Sequence, residues 1–129
     1  MLTQPGAPTI RQMMMPRDTN AHGTIFGGHI LSLIDQAGAV AALEVGARKV
    51  VTVAIREVEF KAPVRVGDLV SCYASVVRRG LTSVTVAVRV TADNHARARF
   101  GVEVTTAELV FVHVDDDGRP LPLPRPPQV

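Results

Sequence analysis

PRDTNAHGTIFGGHILSLIDQAG, residues 16–38, is the stretch around which this chain is organised. It opens with a polar, turn-prone segment, reaches the pair Gly27-Gly28, and continues into an apolar helix that carries one acid, Asp35. Glycines at a helix start let backbone N–H groups approach a ligand, and the N–H groups of a first turn have no partner inside the helix. A carboxylate two turns further in, among leucine, isoleucine and alanine, is costly unless it has a task. Together these are parts of an acyl-transfer site.

The helix after the glycine pair is predicted to run from Gly28 to Val45, with Gly46 as its C-terminal stop. One stripe of this helix carries small residues on either side of the acid, namely Gly28, Ser32, Gly38 or Ala39, and Ala42. Such a stripe has two interpretations: close packing against a sheet or a partner helix, or a trough that holds a ligand beside Asp35.

From Val50 onward the apolar residues alternate with a period of two, which predicts strands. Four long antiparallel strands are expected between residues 50 and 114, after a short first strand within residues 10–15. The apolar positions change parity at Arg56-Glu57, which predicts a β-bulge or a sharp coil there. This order predicts an α+β fold in which one long helix lies in the concave face of a five-stranded, or slightly larger, antiparallel sheet. Because one helix cannot cover both faces of the sheet, a dimer through a sheet edge or face is expected.

The ends of the chain are predicted to be less regular, within a single domain of residues 1–129. Residues 1–9 are expected to form a loose arm, and residues 118–129 a proline-rich tail. The N-terminus lacks the pattern of a signal peptide, and no apolar run is long enough to span a bilayer. The single cysteine, Cys72, has no disulfide partner, which fits a reducing compartment. A cytoplasmic protein with no membrane partner is therefore expected.

Charge and ligand chemistry narrow the function classes further. The net charge is +2, and no aromatic residues are interleaved among the scattered basic residues, which argues against binding of nucleic acid. A small phosphorylated ligand needs only a few of these residues. The three methionines of residues 13–15 are predicted to be core filler, because no other soft metal ligands cluster nearby. No metal site is expected.

Taken together, the motifs resemble the hotdog-fold acyl-CoA thioesterase (acyl-CoA hydrolase) family, particularly its bacterial YciA-like members. The likeness is carried by D-x-N-x-x-G-x-x-F-G-G followed by I-D-x-A-G within residues 16–38. It continues through VVTVAIREVEFKAPVRVGDLV, RRGLTSVTVAV and AELVFVHVDDDGRPLPLP, so it covers nearly the whole chain beyond about residue 9.

The resemblance implies an enzyme that hydrolyses acyl-CoA to a free fatty or carboxylic acid and CoA. The family's essential acid falls on Asp35, as general base or as nucleophile, and its active-site asparagine falls on Asn20. The family's glycine pair falls on Gly27 and Gly28, whose backbone N–H would polarise the thioester carbonyl.

The resemblance also implies the partners. Two subunits pair to build two sites at their interface, with Asn20 and Asp35 of one site coming from different subunits, and the dimers usually assemble into a hexamer. No cofactor is expected, since CoA is part of the substrate. Lys61, Arg78 and Arg79 are candidates for contacts to the CoA phosphates.

Two other functions remain open on the same fold. A hydratase would need a differently placed pair of acid and histidine, and His29 lies six residues before Asp35 on another face of the helix. A non-catalytic acyl-CoA-binding module would not need both Asn20 and Asp35. At the level of single residues, Asn20 could be only a turn residue and Asp35 only the buried partner of an arginine. The length of the acyl chain is left open.

Overall fold

The computed structural model describes residues 6–125, which form an antiparallel sheet of five strands packed on one α-helix. The elements are β1 (Ile10–Met13), a 3-10 turn (Pro16–Asp18), α1 (Gly27–Glu44), β2 (Val50–Phe60), β3 (Leu69–Arg79), β4 (Ser83–Asn94) and β5 (Arg99–His113). The strand order across the sheet is β1-β3-β4-β5-β2, so β1 and β2 are its edges. The predicted arrangement of one long helix on a five-stranded antiparallel sheet is confirmed.

The core lies between α1 and the concave face of the sheet. Inward-facing residues of β4 and β5 stand opposite one another in the pairs Val84↔Phe111, Val86↔Leu109, Val88↔Ala107 and Val90↔Thr105. The helix packs on them with its buried residues Ile30, Leu33, Ile34, Ala37, Gly38, Ala41 and Ala42. At Gly38 a Cβ would lie only 2.9 Å from atoms of the Phe111 ring. At this position the small-residue stripe therefore serves close packing.

The ends of α1 follow from its glycines. The helix begins and ends one residue earlier than predicted, at Gly27 and Glu44. Gly46 has a φ of +101° and donates its N–H to the carbonyl of Leu43 at 3.0 Å, which confirms it as the stop signal. No helix of residues 6–125 combines the length and the apolar character needed to cross a membrane.

Strand β2 carries the predicted bulge. Its pairing with β5 shifts between Arg56 and Glu59, and Glu57 has a φ of +54°. A second shift, between Thr52 and Ala54, was not predicted, because the apolar positions keep their parity there. The free edge of β2 exposes Val51, Val53 and Ile55 to 40–55%. A long apolar edge of this kind is a template on which another chain can pair.

The proline-rich tail lies along one end of the sheet as far as residue 125. Leu121 and Leu123 donate their N–H groups to the carbonyls of His113 and Leu81, both at 2.8 Å. At the other end of the chain, the N–H of Thr9 donates to the carbonyl of Cys72 at 2.7 Å. Residues 1–5 of the predicted arm and residues 126–129 of the predicted tail lie outside the described residues.

Candidate active site

Asn20 holds the turn that leads into α1. Its Oδ1 accepts hydrogen bonds from the N–H groups of His22 at 2.8 Å and Thr24 at 3.2 Å, and its Nδ2 donates to Thr24 Oγ1 at 2.9 Å. These bonds agree with the alternative interpretation of Asn20 as a turn residue. An amide nitrogen carries two hydrogens, so the turn leaves one of them for a second task.

Asp18 and His29 fix the direction in which the chain enters α1. Asp18 Oδ2 accepts the N–H of Met15 at 3.0 Å, and its backbone carbonyl accepts the N–H of Phe26 at 2.9 Å. Its Oδ1 lies 3.8 Å from His29 Nδ1, while His29 Nε2 lies 2.8 Å from Gln12 Oε1. Asp18 in the D-x-N motif thus ties the loop to the first turn of the helix.

The start of α1 has no side-chain cap. Phe26, the N-cap residue, makes no side-chain hydrogen bond, and its carbonyl accepts the N–H groups of His29 and Ile30. Within residues 6–125 the N–H groups of Gly27 and Gly28 have no acceptor. Gly28 faces open space, since a Cβ there would have no heavy atom within 4 Å. These donors lie at the positive end of the helix dipole and suit an oxygen that gains negative charge.

A cavity of about 350 Å³ opens beside Gly27. Its apolar walls are formed by Ile25, Ile30, Phe60, Ala62, Pro63 and Val64. The N–H of Ile25 donates to the carbonyl of Val64 at 2.8 Å, which joins the entrance loop to the segment after β2. An apolar cavity next to unpaired N–H donors can hold an acyl chain with its carbonyl at the helix start.

Lys61, one of the predicted phosphate contacts, lines this cavity. Its Nζ donates to Glu103 Oε2 at 2.6 Å, and Arg89 lies 3.6 Å from the other oxygen of Glu103. The hydrogen bond that Lys61 donates to Glu103 raises the pKa of Lys61 above its ordinary value of 10.5. Lys61 is therefore a cation at neutral pH, with one carboxylate already beside it.

Asp35 lies on α1, half-buried, next to β2. Its Oδ1 accepts a hydrogen bond from Thr52 Oγ1 at 2.6 Å. Its partner is thus a hydroxyl rather than the arginine that the alternative interpretation required. Thr52 was missed by the sequence analysis, because a threonine on a predicted strand 17 residues away carries no sign of this contact. Residues 6–125 contain no group of three His, Cys, Asp or Glu side chains that could hold a metal ion.

The length of α1 separates Asp35 from the glycine pair. Asp35 follows Gly27 by eight residues, which is about 12 Å along the helix axis. A general base or nucleophile has to come within roughly 3 Å of the atoms that react. One chain therefore brings Asn20, Gly27 and Gly28 to one end of α1 and holds Asp35 away from them.

Arg78 and Arg79 lie at the end of β3, next to the β3–β4 turn. The guanidinium of Arg79 donates to the carbonyl of Pro124 and so holds the tail, while Arg78 is exposed. Three other arginines line a narrow hollow that shares Pro63 with the cavity: Arg65, Arg97 and Arg99. In the sequence only the spacing of Arg97 and Arg99 marks this group, since Arg65 joins it through folding.

Comparison with known proteins decides the family. The model of the thioesterase superfamily matches residues 22–99, more than half of the chain and including α1. The chain belongs to the thioesterase superfamily.

Two members of the thioesterase superfamily cover nearly the whole chain. The acyl-CoA thioester hydrolase YciA from Salmonella typhimurium is 43% identical over 124 residues, which are 95% of this chain and 93% of the relative. A hexameric hotdog fold thioesterase of Campylobacter jejuni is 44% identical, with a TM-score of 0.82 over 92% of this chain and 91% of that one. These matches confirm the predicted family and the hotdog fold.

A third member of the thioesterase superfamily has been solved with ligands. The acyl-CoA hydrolase from Staphylococcus aureus, in complex with butyryl coenzyme A, coenzyme A and coenzyme A disulfide, is 33% identical. The TM-score is 0.80 over 89% of this chain and 70% of that one. The same protein has been solved as an aspartate-to-alanine mutant and as a threonine-to-alanine mutant, at positions 17 residues apart. Asp35 and Thr52 are also 17 residues apart.

Proposed function

We propose that this chain is an acyl-CoA thioesterase that hydrolyses acyl-CoA to a free carboxylic acid and CoA. The observation that carries the proposal is the start of α1, where the N–H groups of Gly27 and Gly28 stand beside an apolar cavity of about 350 Å³. A thioester carbonyl placed there would have its oxygen on the donors and its acyl chain in the cavity. The named activities of the relatives from Salmonella and Staphylococcus support the same reaction.

Each active site is built from two subunits in this proposal. Gly27 and Asn20 come from one subunit and Asp35 from its partner, because about 12 Å of helix axis separates Gly27 from Asp35 within a chain. Both parts of the site lie along β2. Thr52 contacts Asp35 near the start of this strand. Phe60 lies at the end of the strand, and its ring would be 3.3 Å from a Cβ on Gly27.

Antiparallel pairing of two β2 edges would bring Asp35 of one subunit close to Gly27 of the other. A two-fold axis near the middle of β2 would set the Thr52 end of one strand opposite the Phe60 end of the other. It would also cover the exposed residues Val51, Val53 and Ile55. We further propose that three such dimers form a hexamer, the assembly named for the Campylobacter thioesterase. The cytoplasmic location stays a prediction.

The chemistry follows from these positions. The N–H groups of Gly27 and Gly28 would stabilise the oxyanion that forms when the carbonyl is attacked; one such donor is worth about 3–4 kcal/mol of barrier. Asp35 of the partner subunit, held through Oδ1 by its own Thr52, has Oδ2 left to take a proton from water or to attack the carbonyl itself. The spare hydrogen of Asn20 Nδ2 would orient the water or the carbonyl oxygen. The C–S bond breaks and CoA leaves as its thiolate.

The first test is Asp35→Asn, measured as thiol release from acyl-CoA. The amide can neither take a proton nor attack, so kcat should fall by several orders of magnitude while the fold and oligomer are kept. Glu44→Gln on the same helix is the matched control, because it makes the same chemical change at an exposed residue and should turn over like the parent.

The same preparations separate the competing functions. A parent protein that binds acyl-CoA but releases no thiol would be a binding module, and one that adds water to an enoyl-CoA would be a hydratase. Hydrolysis by Asp35→Asn at the parental rate would show that the carboxylate is assigned wrongly.

The CoA phosphates have two candidate arginine groups. The sequence nominates Arg78 and Arg79 together with Lys61, whereas the hollow next to the cavity is lined by Arg97 and Arg99 together with Arg65. We propose both groups as candidates, since guanidinium groups suit phosphate in either place. Arg79 already holds the tail through Pro124, so its loss would also affect the tail.

A substrate without the nucleotide tells the two groups apart. KM is compared for acyl-CoA and for the matching acyl-pantetheine in the double variants Arg97→Ala/Arg99→Ala and Arg78→Ala/Arg79→Ala. Replacing the pair that contacts phosphate should raise KM for acyl-CoA by about 10-fold or more and leave KM for acyl-pantetheine unchanged. Equal effects on both substrates would exclude a phosphate contact for that pair.

A further inference from the structure

Thr105 is a buried hydroxyl without a hydrogen-bond partner. The residue is 1% exposed. Among the buried side-chain oxygen and nitrogen atoms of residues 6–125, its Oγ1 is the one that has no hydrogen-bond partner. Buried side-chain hydroxyls are hydrogen-bonded in the large majority of cases, because leaving one unpaired is costly. Thr105 also lines the cavity beside Gly27. Oγ1 itself is closed off from the cavity, so a molecule that enters the cavity can be the missing partner once rotation about Cα–Cβ turns the hydroxyl toward it.

The position of Thr105 on the sheet sets it apart from its neighbours. The inward-facing row of β5 consists of Thr105, Ala107, Leu109, Phe111 and His113. The other polar member, His113, is satisfied: its Nε2 accepts the N–H of Arg48 at 3.3 Å, and its Nδ1 lies 3.2 Å from the carbonyl of Pro122. Thr105 is thus a polar side chain in an apolar layer, at the place where that layer meets the cavity.

The other polar side chains of the cavity already have partners. Thr24 Oγ1 accepts from Asn20 Nδ2 at 2.9 Å, and Lys61 Nζ donates to Glu103 at 2.6 Å. The remaining walls are apolar. A plain hydrocarbon chain would be buried by these walls and would leave Thr105 unpaired. A chain that carries an oxygen would be buried equally well and would supply the partner.

We propose that Thr105 is a specificity-determining residue whose hydroxyl binds an oxygen substituent on the acyl chain, so that hydroxyacyl and oxoacyl thioesters are preferred over unsubstituted ones. A threonine hydroxyl can donate to a keto oxygen and accept from a hydroxyl, so both classes fit. The proposal rests on the proposed function, because the acyl chain has to enter the cavity from the Gly27 end. Thr105 and Gly27 line one cavity of about 350 Å³, which places the substituent close to the thioester, as in a 3-hydroxyacyl group.

The experiment compares octanoyl-CoA with 3-hydroxyoctanoyl-CoA in the full-length protein and in Thr105→Val, which replaces the hydroxyl by a methyl group of similar size. The ratio of kcat/KM for the hydroxylated over the plain substrate should fall by about 5-fold, the usual worth of one neutral hydrogen bond. Thr106→Val makes the same change one residue along β5 on the opposite face, and it should leave the ratio unchanged. Thr105→Ser keeps the hydroxyl and should keep the ratio.

Two results would overturn the proposal. An unchanged ratio in Thr105→Val would mean that the hydroxyl binds something other than the substrate, such as an ordered water. A melting temperature several degrees below that of the parent would mean that the hydroxyl already has a partner in the free protein, because removing an unpaired hydroxyl should not destabilise the fold. A parent that releases no thiol contradicts the proposed function instead, and calorimetric binding of the two thioesters then measures the preference of Thr105 directly.

Discussion

Two inactive variants of this protein should restore activity to each other when they share an oligomer. Asp35→Asn removes the carboxylate, and Asn20→Ala removes the side chain at the loop end of the site. Within one chain Asp35 lies about 12 Å along the axis of α1 from Gly27, too far for both to act on one carbonyl. If the proposed two-subunit site is right, each variant damages a different half of every site.

The size of the recovery follows from the symmetry of a dimer. In a mixed dimer one site carries both substitutions and the other carries neither. Random pairing of equal amounts makes about half of the dimers mixed, so about a quarter of all sites are intact. Activity should therefore reach about 25% of the parent. Asn20→Ala alone should retain on the order of 1%, and Asp35→Asn alone far less.

The assay is thiol release by the two co-expressed variants. Each variant carries a different tag, so that equal amounts of the two can be verified in the purified protein. Co-expression of Asp35→Asn with Thr52→Val is the control, since both changes affect the same end of the site and no mixed site is intact. Activity of the Asp35→Asn and Asn20→Ala mixture at the mean of the separate variants would refute the shared site and place both residues in one chain.

Three further predictions concern single side chains. Thr52→Val should lower kcat/KM by about 10-fold in the thiol-release assay, because the Asp35 carboxylate loses the bond at 2.6 Å that orients it, and Thr52→Ser should retain most of the activity. Gly38→Ala should lower the free energy of unfolding in urea by about 1–3 kcal/mol, because its Cβ would lie 2.9 Å from the buried Phe111 ring; Gly28→Ala, in open space, should not. Burial raises the pKa of Cys72 from 9.0 to about 11, so the unfolded chain loses the thiol proton first and the urea midpoint should fall as pH rises from about 9 to 11. A midpoint that rises over this range, or a native thiol as reactive as an exposed cysteine, would contradict the last prediction.

The sequence by itself determined the parts of this protein that depend on neighbours along the chain. A period of 3.6 predicted α1 to within one residue at each end, and Gly46 marked its stop because only a residue tolerant of positive φ fits there. The change of parity at Arg56-Glu57 predicted the bulge, because alternation sets which face of a strand each residue takes. The motif of residues 16–38, together with the segments that follow it, named the family that the match over residues 22–99 shows.

Tertiary structure alone decided which distant residues meet. The bond from Thr52 to Asp35 depends on how α1 crosses β2, and the grouping of Arg65 with Arg97 and Arg99 depends on the folding of the sheet. The unpaired state of Thr105 depends on every atom around it, none of which is specified by local pattern. Periodicity records the face on which a side chain lies, whereas register and helix crossing, set by packing of the whole core, select its partners.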